Sequence, residues 1–129
     1  MKGYEAKVVS SSRELTAKER IRIKDFSNAT QLDDVVTPDQ SFILDYDYHA
    51  FISVHNEHTK SGQTDYEKCV IVDRAGNMYV TGSESFITAM ESVLTEMKSA
   101  GSDEEFSLEC YKVPSKNFNG KHFLTCTIV

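Results

Sequence analysis

The sequence predicts an all-β domain that carries one helix. Two observations lead there. Residues 83–101 (SESFITAMESVLTEMKSAG) are the only long stretch with a clean helical period. Most of the remaining apolar residues alternate, or fall in short runs bounded by turn residues. A chain of 129 residues is one domain by length and can bury a sizeable core.

Residues 1–16 pattern weakly and are broken by Ser10-Ser11-Ser12, so 1–14 is read as a flexible arm and 15–129 as the single domain. From Lys18 the residues alternate, with Ile21 and Ile23 on one side and Arg20, Arg22 and Lys24 on the other. That pattern predicts a half-buried strand with a basic outer face. A helix over 14–24 is the alternative, because Leu15, Ala17 and Lys18 are good helix formers. Residues 26–39 read as loop, with a turn at Pro38-Asp39.

Residues 41–56 predict a long strand. Phe42, Leu44, Tyr46, Tyr48, Ala50, Ile52 and Val54 take one face, and Ile43, Asp45, Asp47, His49, Phe51, Ser53 and His55 take the other. So long a strand usually bends, but no glycine marks where. Residues 57–65 are a polar hairpin loop. Residues 66–73 are apolar on both faces around Cys69–Val72, hence a central strand. A tight turn at 74–77 (RAGN) returns the chain as a strand at 78–81.

In the helix, Phe86, Ile87, Met90, Val93, Leu94 and Met97 fall on one stripe. Thr81, Gly82 or Ser83 can cap its start, and Gly101 is placed to end it in a left-handed turn. After an acidic connector, strands are predicted from 106 to Pro114 and from 122 to 129, joined by a turn holding Asn119-Gly120. Three strands, a helix and two strands is the order of the OB-fold, a five-stranded Greek-key barrel with its helix between strands 3 and 4.

No apolar run approaches the roughly 18 residues of a membrane span, and the N-terminus lacks a signal-peptide core, so a cytoplasmic protein with no membrane partner is expected. Cys69, Cys110 and Cys126 show no CxxC spacing and sit in strand patterns, as reduced core thiols. The net charge of −6 argues against a nucleic-acid partner, but its distribution does not. Residues 1–25 hold seven Lys/Arg against four Asp/Glu, residues 26–110 hold four against sixteen, and residues 111–129 hold three against none. The ends are basic and the middle is acidic. If the first and last strands are neighbours, they form one positive face; scattered solvated lysines are the alternative.

Holding a single strand takes cations for phosphates and flat side chains for bases. The first predicted strand supplies Arg20, Arg22 and Lys24. Phe51 stands alone among polar neighbours, as a stacking platform or as packing under a loop. The last hairpin offers Tyr111, Lys112, Lys116, Phe118, Lys121 and Phe123, as a clamp or an ordinary tip. Tyr79 extends the platform or packs. Tyr46 and Tyr48 read as core, and Asp45 and Asp47 would disfavour phosphate nearby. Catalytic motifs are absent: there is no P-loop, GxSxG or HExxH. His55 and His58 form an H-x-x-H pair without a third ligand of obvious spacing, so no enzyme activity, metal or cofactor is expected.

Residues 72–86 (VDRAGNMYVTGSESF), the following helix and residues 112–129 (KVPSKNFNGKHFLTCTIV) resemble the small single-stranded-DNA-binding proteins of tailed bacteriophages and prophages. Residues 15–34 and 52–57 are similar to prophage members more loosely, and AGNMY resembles a turn of the binding proteins of protein-primed phages. The resemblance implies an OB-fold that coats single-stranded DNA without sequence preference in replication or recombination. Its setting would be the bacterial host cytoplasm, with phage or host replication and recombination proteins as partners. It does not extend to the acidic tail by which many such proteins recruit partners, since residues 125–129 read TCTIV. The rival reading is an acidic protein-interaction module or DNA-mimicking inhibitor, against which the clustered basic ends count.

Overall fold

The computed structural model describes residues 3–60, 62–116 and 120–129. The strands are β1 (Tyr4–Ser11), β2 (Thr30–Gln31), β3 (Phe42–Leu44), β4 (Tyr46–Asn56), β5 (Asp65–Asp73), β6 (Met78–Thr81), β7 (Leu108–Pro114) and β8 (His122–Ile128). The helices are α1 (Ala17–Lys24), α2 (Leu32–Val35) and α3 (Glu84–Ser99). Five strands pair in the order β1-β4-β5-β6-β2, and three in the order β3-β7-β8. The protein is therefore mainly β, with one long helix between strands, as expected. No helix among the described residues is long and apolar enough to cross a membrane.

The five-stranded sheet is covered on both faces. Along β5, Cys69 and Ile71 enter one core, and Val70 and Val72 enter the other. The first core gathers Phe86 and Met90 of α3 with Leu108, Cys110, Leu124 and Cys126 from the three-stranded sheet. The second is closed by Leu15 and Ile23, so α1 lies on the opposite face. This two-sided burial is why β5 reads as a continuous apolar run.

The long helix has the predicted ends. The Ser83 side chain accepts a hydrogen bond from the Phe86 amide. At the other end Gly101 stands at φ 67°, its N–H donates to the Lys98 carbonyl, and the Ser102 N–H donates to that of Met97. That pair of bonds is a Schellman cap, whose left-handed residue favours glycine.

The expected strand at 18–24 is instead helix α1. Thr16 accepts from the Glu19 amide while the Glu19 carboxylate accepts from the Thr16 amide, a reciprocal capping box. Arg13 adds two bonds to the same carboxylate, at 2.8 and 3.2 Å, and these hold the Glu19 carboxyl down at about 2. The apparent alternation dissolves on the helix: Ile23 is fully buried and Ile21 is 69% exposed.

The stretch read as a flexible arm contains β1, whose Tyr4, Ala6 and Val8 pack against the second core. It pairs antiparallel with β4, Tyr4 opposite Asn56 and Val8 opposite Ile52. Within the predicted 26–39 loop, residues 32–35 turn as α2 to bury Leu32. The turn at Pro38-Asp39 is present, closed by Thr37 and Gln40 exchanging backbone bonds.

The long strand bends at Asp45. Residues 42–44 pair with β7, and residues from Tyr46 onward pair with β5. A register shift between Tyr46 and Tyr48 puts the two tyrosines on opposite faces, Tyr46 in the first core and Tyr48 in the second. The expectation of a shared face is corrected by this bulge, which inserts one residue and reverses the alternation. Arg74 braces the bend, donating to the carbonyls of Tyr46 (3.3 Å) and Phe106 (2.8 Å).

Candidate nucleic-acid interface

The β7–β8 hairpin gathers more of the predicted residues than any other element. Leu108 and Cys110 of β7 and Leu124 and Cys126 of β8 face the first core, Cys110 opposite Cys126. The alternate residues must point outward. Tyr111 is opposite Thr125 and Val113 is opposite Phe123, so Tyr111 and Phe123 are diagonal neighbours on the outer face. Phe123 is 41% exposed. At the tip the Ser115 amide donates to the Lys121 carbonyl at 2.9 Å, bringing Lys116 and Lys121 to the same end. Both lysines are exposed. Phe118 lies outside the described residues.

Lys112 belongs to the inner register. Its Nζ donates to the Asp33 carbonyl at 3.1 Å and lies 3.8 Å from the Asp33 carboxylate. It ties the hairpin to α2 instead of joining Tyr111 on the outer face.

Arg20, Arg22 and Lys24 are exposed on α1. Because α1 and the three-stranded sheet cover opposite faces of the five-stranded sheet, these cations do not merge with Lys116 and Lys121 into one positive face. Arg22 also donates to the Gly76 carbonyl at 3.1 Å.

Phe51 is half-buried and packs against the first core, edge-on to His49 with ring centroids 5.6 Å apart. The face read as polar is the one that meets α3, and His49 is 5% exposed. Tyr79 packs: it meets Phe42 at 5.3 Å. His55 is held by Asp65 at 2.8 Å and Glu57 at 3.4 Å, and these neighbours raise its pKa. No group of three His, Cys, Asp or Glu among the described residues could hold a metal ion.

Two residues escaped the sequence reading. Arg13 lies 4.2 Å over the Tyr48 ring while pairing with Glu19 and approaching Asp47 at 3.5 Å. Its partners come from two separate segments, α1 and β4, so no spacing announces it. Arg74 read only as a turn residue, although it reaches Asp45 and Glu105, each at 3.6 Å.

Comparison with family models, curated proteins and solved structures found no match to this chain.

Proposed function

We propose that the protein binds single-stranded DNA without sequence preference, along the outer face of the β7–β8 hairpin. The observation that carries this reading is the diagonal pair Tyr111 and Phe123, turned away from the core, with Lys116 and Lys121 at the same hairpin's tip. Residues 111–129 hold no acidic side chain to repel a phosphate. Bases stack on the two rings, and the lysines neutralise the backbone. The first residue of opposite sign along the outer face is Glu109, at the far end of β7, where Ser41 Oγ donates to it at 3.0 Å.

In this reading the barrel strands are those of an OB-fold, with β1 in the place first given to residues 18–24. The support is that β1, β4 and β5 run antiparallel in succession, α3 follows the hairpin from β5, and the bend at Asp45 lets one long strand serve both sheets. The role is that of a non-catalytic coat on strands exposed in phage or prophage replication and recombination. Titration of a labelled oligothymidine with the wild type and with Tyr111→Ala/Phe123→Ala tests it. Equal affinity in the two proteins would remove the hairpin face from the site.

A further inference from the structure

A groove of about 700 Å³ runs between the start of β4 and the C-terminal half of α3. Its apolar lining is Phe51 and Phe106 with Leu94 and Met97 of α3. Phe106 lies nearly parallel to Tyr46, with ring centroids 5.2 Å apart and planes 18° apart.

His49 opens into this groove although it is 5% exposed. Its Nδ1 is engaged by Tyr46, which leaves Nε2 facing outward. The His49 amide donates to Ser12 Oγ at 3.0 Å. The Tyr46 hydroxyl lies 2.8 Å from His49 Nδ1, and in the tautomer with the imidazole proton on Nε2 the Tyr46 O–H donates to it. Nε2 has no partner among the described residues, yet no buried side-chain atom among them lacks one, so Nε2 reaches the open groove.

The rim is acidic. Glu91, Asp103 and Glu104 line the groove and form no ion pair among the described residues. Asp47 is near Arg13, itself engaged by Glu19, and Lys98 is the rim's other cation. A phosphate entering here would meet unpaired carboxylates. A group with a positive charge and an apolar stem would meet attraction at the rim and contact along the floor.

We propose that this groove takes an arginine or lysine of a basic peptide segment of a partner protein. The side-chain stem lies along Phe51 and Leu94, the cation reaches Glu91 and Glu104, and a peptide carbonyl accepts from His49 Nε2–H. This site is separate from the hairpin face and does not rest on the DNA reading. A single strand could occupy the hairpin while a basic partner occupies the groove.

The probe is N-acetyl-arginine N-methylamide, followed by side-chain NMR of the full chain at neutral pH. Saturable shifts of Leu94, Met97 and the His49 imidazole N–H are expected. Glu91→Gln/Glu104→Gln should weaken the probe about tenfold while leaving the spectrum of the free protein folded. N-acetyl-norleucine N-methylamide, which keeps the stem and loses the charge, should bind at least tenfold more weakly. The proposal is overturned if the arginine probe gives no saturable shift, if the double variant binds it unchanged, or if deoxycytidine monophosphate shifts the same signals as strongly.

Discussion

The Tyr46 hydroxyl lies 2.8 Å from His49 Nδ1 inside the first core. This bond joins the two sides of the β4 bulge. Burial pushes the His49 pKa down to about 4. The unfolded chain, with an ordinary imidazole near 6.5, therefore takes up a proton first as the pH falls. The contribution of His49 to stability is complete above about 6.5, declines through the window down to about 4, and is constant below it. Its span is on the order of 3 kcal/mol. Denaturant unfolding of wild type and His49→Gln across pH 4 to 7 should show their difference shrinking on acidification. A difference that does not change with pH would place the imidazole in water.

The α1 capping box gives a second expectation. Thr16→Ala removes the acceptor for the Glu19 amide and should lower stability by about 1 kcal/mol. Thr16→Ser, which keeps the hydroxyl, should recover most of it. Urea midpoints measure both.

Phe51 and Phe123 should separate cleanly. Phe51→Ala leaves a hole against the first core and should cost about 2 kcal/mol of stability with single-strand affinity retained. Phe123→Ala should leave the midpoint near wild type and cost about 1–3 kcal/mol of binding. The opposite pattern would return Phe51 to the site.

Counterion release distinguishes the lysines. Lys116→Gln/Lys121→Gln should flatten the slope of log K against log salt by about 1.4, at roughly 0.7 per phosphate on a single strand. Lys112→Gln should leave the slope unchanged, because that ammonium is already held by Asp33. Its cost should appear as lost stability.

Elements governed by local chemistry were legible in the residues. Ser83 and Gly101 delimit α3, the apolar run at 69–72 marks the central strand, and 74–77 is the β5–β6 turn. The failures have physical causes. Residues 18–24 satisfy a period of two, but the Thr16–Glu19 cap and the Arg13 pair stabilise a helix. The Tyr46/Tyr48 reversal comes from a bulge with no glycine to announce it. Of the candidate interface residues, Tyr111 and Phe123 follow from one hairpin's alternation, and Lys116 and Lys121 from its tip. Arg20, Arg22 and Lys24 were expected beside them only through a strand that is a helix on the opposite face of the sheet.

The most direct test of the central claim is fluorescence anisotropy of a labelled oligothymidine and a duplex of equal length, each titrated with the protein at low and moderate salt. The chain has no tryptophan, so the label belongs on the DNA. The account predicts binding to the single strand that weakens as salt rises, with the duplex bound far more weakly. Absence of single-strand binding at low salt, or equal binding to the duplex, would contradict it.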